Sequence, residues 1–132
     1  MKDMTAALII KNKRILLVHN TKHNGLRIEP PGGKRDGNEN LEFCVIREVK
    51  EELGISIEPT ELLGIYKTSS PEGNFRVYMY RSKIKEGKPT LIEPDKISNH
   101  GWYSFEEMEK FKKQGILVPN LCSALDDLRK YF

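Results

Sequence analysis

The sequence predicts an α/β fold, a mixed β-sheet flanked by helices. Three observations carry that expectation. Apolar β-rich runs alternate with amphipathic helical patterns along the chain. The helical patterns bring their own start and stop signals. No repeat, low-complexity tract or linker breaks the order, so residues 1–132 read as a single domain, long enough for a real core.

In chain order, "TAALIIKNKRILLVHN" is two apolar runs around a polar turn, Lys11 to Lys13, and reads as a hairpin. "TKHNGLRIEPPGG" follows, where Gly25, Pro30, Pro31, Gly32 and Gly33 argue for a loop without regular structure. A helix is expected from about Asn40 to Leu53, with Gly54 as its C-terminal stop. "ISIEPTELLGIYKTSS" and "NFRVYMYRSKI" are strands separated by a turn at Pro71–Gly73. "EGKPTLIEPDKISNHG" reads as a polar connection, and "GWYSF" as a short strand. Ser104 then caps a second helix, with Glu107 completing a capping box. Asn120 stands at the head of a third.

The bulk numbers narrow the function classes. Net charge is +3 with 31% charged residues, too diffuse for a dedicated nucleic-acid binder, so no stable nucleic-acid partner is expected. The N-terminal apolar run ends after five residues, too short for a signal peptide or a membrane span. Cys44 and Cys122 lie in apolar helical patterns and read as buried free thiols in a cytoplasmic protein.

The sharpest feature is a conflict of charges. Glu48, Glu51 and Glu52 fall in the last turns of the first helix, against the negative end of its dipole. Each carboxylate there costs about 0.3–1 kcal/mol. Helical geometry gathers the three within an arc of about 100°, beside the flank of Val45, Ile46, Val49 and Leu53 that packs on the core. A hard divalent cation such as Mg²⁺, which takes oxygen ligands and shares itself with phosphates, would balance them. Arg47 can tie a carboxylate in place by a bidentate pair, and Glu39 faces the positive start of the helix.

The spacing extends the pattern: Gly33, five residues, Glu39, seven residues, then Arg47-Glu48-Val49-x-Glu51-Glu52-x-Gly54-Ile55. It resembles, at every specified position, the box of the Nudix hydrolases, and the chain is similar to the small MutT-like members. The resemblance implies an α/β/α sandwich and hydrolysis of a nucleoside diphosphate linked to a moiety X, with Mg²⁺ or Mn²⁺. It implies that Glu48, Glu51 and Glu52 bind metal with the Gly32 carbonyl. Arg47 would orient a glutamate, Glu39 would support the site, and Gly33 and Gly54 would permit the turns at either end of the helix. Glu51 and Glu48 are both candidates for the general base. A further acid downstream is expected in the family; Glu93 is the choice, with Asp95 close behind.

Substrate contacts are less defined. The family's frequent "W-x-F-P-G-G" becomes Ile28-Glu29-Pro30-Pro31-Gly32-Gly33, without the aromatic residue, and His19-Asn20 stands where a basic residue commonly closes the second strand. Arg27 or Lys34 takes over that phosphate contact, or each is a solvated loop charge. Asn120 either reads a purine edge, as in MutT-type enzymes, or simply caps the last helix. His19 and His23, four apart, sit in polar surroundings that argue against a zinc helix. The expected substrate is a nucleoside triphosphate such as 8-oxo-dGTP, with ADP-ribose or a nucleotide sugar as the alternative. A non-catalytic nucleotide sensor is the alternative of another class, although such domains lose box glutamates. Relatives of this kind are monomers or homodimers.

Overall fold

A computed structural model describes residues 1–22 and 25–132. The chain folds in the order β1 (Lys2–Lys11), β2 (Arg14–Asn20), β3 (Arg27–Glu29), β4 (Gly32–Lys34), α1 (Leu41–Leu53), β5 (Ser56–Ser70), β6 (Gly73–Glu86), β7 (Ile97–Tyr103), α2 (Phe105–Lys113) and α3 (Pro119–Leu128), with a 3₁₀ turn at Arg129–Tyr131. The strands form a mixed sheet in the order β3-β2-β1-β6-β5, with β4 beside β1 and β7 beside β2. β1 runs parallel to β6, from Lys2 opposite Phe75 to Ile9 opposite Ser82. It joins β2 through a hairpin in which Lys11 faces Arg14. The two turn residues, Asn12 and Lys13, both take positive φ (53° and 60°), the conformation whose twist suits a two-residue hairpin.

Alternation along the central strands explains why they are apolar on both faces. Ala6, Leu8, Ile15 and Leu17 point to one side and pack with Met108 of α2 and Leu121, Ala124, Leu125 and Leu128 of α3. Ala7, Ile9, Leu16 and Val18 point to the other and meet Val45, Val49 and Leu53 of α1. Each fully buried aliphatic side chain contributes about 1.5–3 kcal/mol. The result is the predicted sheet between helical layers, with α1 alone on its face.

Helix α1 has the predicted bounds. The Asn40 side chain accepts from the N–H groups of Glu42 and Phe43, and Gly54 ends the helix at φ 70°. The capping box of α2 is present, with Ser104 and Glu107 each bonding the other's backbone. Four expectations need correction. The loop 21–33 contains β3 and the start of β4, whose few residues are held by pairing with β2 and β1. β7 begins at Ile97, because Ile97 to Tyr103 pair with β2. Val118, not Asn120, is the N-cap of α3; Pro119 takes the first helical position and Asn120 the second. Cys44 is buried as expected, but Cys122 is only half-buried.

Candidate active site

The loop between β3 and α1 brings the box residues together. Thr5 of β1 lies opposite Gly33 of β4, and the backbones are so close that a Cβ on Gly32 would overlap the Thr5 carbonyl oxygen. A Cβ on Gly33 would run into the carboxylate of Glu48. Close approach of backbone requires glycine at 32, whereas a side chain at 33 would displace the Glu48 carboxylate. From this loop the Gly32 N–H donates to Glu52 Oε1 at 2.8 Å, fixing one carboxylate of α1 against β4.

Arg47 is the hub of the helix end. Its Nε and Nη2 grip Glu39 in a bidentate pair at 3.0 and 2.6 Å. Nη1 reaches Glu48 Oε1 and Glu51 Oε1, both at 3.1 Å, and Nη2 also donates to the Lys34 carbonyl at 3.2 Å. The fork holds the Glu39 carboxyl down to about 2. Glu39 also accepts from the Asp36 N–H at 2.9 Å, which pins the loop entering the helix.

The three box glutamates do not share one environment. Glu48 and Glu52 line a cavity of about 300 Å³. Glu51 is half exposed, held by Arg47, and not part of that lining. Burial pushes the Glu48 carboxyl up against the pull of Arg47. Burial pushes Glu52 well above the ordinary range; the Gly32 N–H opposes this, while Glu29, Glu48 and Glu93 add to it. Among the described residues, no three His, Cys, Asp or Glu side chains are gathered closely enough to hold a metal ion. The donor set nevertheless fits a hard divalent cation. It consists of oxygens, and Glu52 is a carboxylate short of positive charge at the cavity wall.

The remaining candidates line the same cavity: Glu93 on the loop before β7, Arg27 on β3, Lys34 on β4 and Asn120 on α3. Asp95 is exposed and outside it. Glu93 pairs with Lys96 at 3.4 Å. Asn120 is buried, and its Oδ1 accepts from the Leu121 N–H at 3.1 Å. That bond fixes the amide orientation and leaves the NH₂ group as its free hydrogen-bonding end among the described residues. His19 shares the Ile15 and Leu17 face of β2 and bonds Tyr103 Oη through Nε2 at 2.6 Å, away from the cavity; Asn20 lines it instead. His23 lies outside the described residues.

Sequence reasoning missed several residues of the lining. Asn20 Nδ2 donates to Glu29 Oε1 at 2.6 Å, and burial raises the Glu29 carboxyl. Alternation from the buried Ile28 was the available signal for Glu29. Lys22 and Lys96 add cations, and Glu72 adds an acid from the β5–β6 turn. Thr68 of β5 has a buried hydroxyl with no hydrogen-bond partner among the described residues.

A mixed sheet between helical layers, with a Gly-Gly loop feeding a glutamate-rich helix end at a lined cavity, defines the Nudix class of fold. The chain belongs to the Nudix family: the family model described as NUDIX domain matches residues 1–121. A nudix hydrolase of Caenorhabditis elegans is 32% identical over 117 residues, which cover 84% of this chain and 31% of the worm protein. The NAD-capped RNA hydrolase NudC of Vibrio cholerae is 26% identical over 108 residues, covering 82% of this chain and 39% of that protein. The chain thus spans less than half the length of these curated relatives. Among solved structures, a MutT NUDIX hydrolase from Burkholderia pseudomallei superposes with a TM-score of 0.74 at 30% identity, covering 80% of this chain and 84% of its own. Nudix hydrolases generally use divalent metal ions. No helix among the described residues is long and apolar enough to cross a membrane.

Proposed function

We propose that the chain hydrolyses the pyrophosphate linkage of a nucleoside triphosphate, an oxidised purine nucleotide such as 8-oxo-dGTP being the expected substrate. The observation that carries this reading is the cavity itself. Its lining combines the carboxylates Glu48 and Glu52, the cations Lys22, Arg27 and Lys34, and the Asn120 amide from α3. Such a lining suits a ligand with a polyanionic middle and a base at one end.

Glu48, Glu52 and the Gly32 carbonyl, with Glu51 and Glu93, would be the oxygen donors for Mg²⁺ or Mn²⁺. A bound ion of this kind neutralises charge on the diphosphate and makes a coordinated water more acidic. Arg47 contacts both candidate bases at 3.1 Å, but of the two Glu48 lines the cavity and Glu51 does not. Glu48 therefore accepts the proton of the attacking water. Arg47 orients Glu48 and is itself fixed by Glu39. Lys34 and Arg27 bind phosphate oxygens, and Asn120 donates to acceptors on the base edge.

ADP-ribose, a nucleotide sugar or another two-headed derivative is the second reading. A neighbouring cavity of about 490 Å³ shares Lys22 and Arg27 with the first and offers room for a bulky X. The test is a panel of dNTPs, 8-oxo-dGTP, ADP-ribose, NAD and nucleotide sugars with Mg²⁺, scored by phosphate or pyrophosphate release. Turnover fastest with 8-oxo-dGTP is expected. Preference for ADP-ribose or NAD would reverse the ranking, and tight nucleotide binding without any turnover would make the domain a sensor.

A further inference from the structure

The β5–β6 turn puts an acid, Glu72, against two of the cations that line the cavity. Glu72 Oε1 accepts from Lys34 Nζ at 2.8 Å and from Lys22 Nζ at 3.3 Å, so one carboxylate oxygen bridges two ammonium groups. The three residues come from three separate segments, and all line the same cavity. Lys34 directly follows Gly33, where an added Cβ would run into the Glu48 carboxylate, so this cluster adjoins the glutamates of α1.

We infer that Glu72 holds, in the substrate-free protein, the place of a phosphoryl group of X, and that it competes for Lys22 and Lys34 with a nucleoside triphosphate but not with a derivative in which X is a sugar. The inference rests on the function proposed above and names its X. One carboxylate carries a single negative charge between two cations, whereas a terminal phosphoryl group carries nearly two and offers three acceptor oxygens. An incoming phosphate therefore satisfies both lysines better than Glu72 does. A neutral sugar hydroxyl does not, and leaves the carboxylate in place.

Exchange is easy on physical grounds. The side chains of Lys22, Lys34 and Glu72 are 41%, 45% and 33% exposed, and ion pairs this open contribute little. Lysine stems are flexible, so the ammonium groups can follow a new anion without backbone movement. The lysines hold the Glu72 carboxyl below its ordinary range, Lys34 most strongly, so the competing charge persists at neutral pH.

The experiment measures binding of inorganic pyrophosphate by calorimetry to the whole chain and to Glu72→Gln, Glu72→Ala and Lys34→Ala. Both Glu72 variants should bind roughly fivefold tighter, the scale of one exposed ion pair no longer in competition, and Lys34→Ala should bind more weakly. In turnover, Glu72→Gln should lower KM for the nucleoside triphosphate by a similar factor and leave KM for ADP-ribose unchanged. Unchanged or weaker pyrophosphate binding in both Glu72 variants overturns the inference. So does an equal KM shift for ADP-ribose. Pyrophosphate binding needs no turnover, so a chain that binds in this order yet hydrolyses nothing in the panel refutes the proposed reaction and supports the role of Glu72.

Discussion

Replacing Glu52 by Gln should make the metal-free protein more stable and the enzyme inactive. Glu52 sits at the cavity wall with one hydrogen bond among the described residues, from the Gly32 N–H at 2.8 Å, while Glu29, Glu48 and Glu93 oppose its charge. Gln keeps the shape and can still accept from Gly32, but it carries no charge to desolvate. A buried polar group short of partners costs about 1–3 kcal/mol, and a charged one more. For a chain of this size 1 kcal/mol moves Tm by roughly 3–5 °C, so a gain of about 3–15 °C is expected with a chelator present. The pH dependence has a definite sign. A carboxyl raised in the folded state destabilises above its folded value, and the penalty fades as pH falls toward the ordinary 4.5. The advantage of Gln should therefore shrink on acidification. Adding Mg²⁺ should raise Tm of the parent more than that of the variant. Calorimetry with and without chelator reads all of this. A Gln variant that melts at or below the parent in chelator would refute the argument, because Glu52 would then have a stabilising partner.

Two other changes test neighbouring parts of the site. Thr68→Val replaces a buried hydroxyl that lacks a partner among the described residues with a methyl of the same shape, and should stabilise by about 1 kcal/mol or more in urea denaturation; loss of stability would mean that the hydroxyl is bonded. Arg47→Lys removes the fork that holds Glu39 down to about 2. A depressed carboxyl contributes stability above its unfolded value of about 4.5, lost as pH falls toward 2. The difference between parent and variant should thus be largest at neutral pH and close between these limits. A pH-independent difference would show that Arg47 acts through something other than Glu39.

How much of this was legible in the sequence depends on how local each cause is. Helix α1 was readable because Asn40, the 3.6-residue apolar pattern and Gly54 lie within one short stretch. The acidic helix end and its spacing to Gly33 and Glu39 could be read for the same reason. The short strands β3 and β4 could not, since three residues rich in glycine or flanked by proline have no period of their own. They exist because β1 and β2 offer edges to pair with. Asn120 is a different case: Pro119 at the first helical position was a printed sign that the cap lay at Val118. Glu72 and Lys22 meet across 50 residues of chain, and only the tertiary fold brings them together.

The charge conflict in the sequence asked for one counter-ion, and the fold supplies several partial ones instead. Arg47 answers Glu51 and half of Glu48, and the Gly32 N–H answers one oxygen of Glu52. What is left uncompensated is concentrated on Glu52 and the cavity side of Glu48, where burial has already raised both carboxyls. On the proposed function, a divalent cation would thus answer less the number of glutamates than the position of those that Arg47 does not satisfy. That is why Glu52, rather than the half-exposed Glu51, is where metal binding and stability should trade against each other.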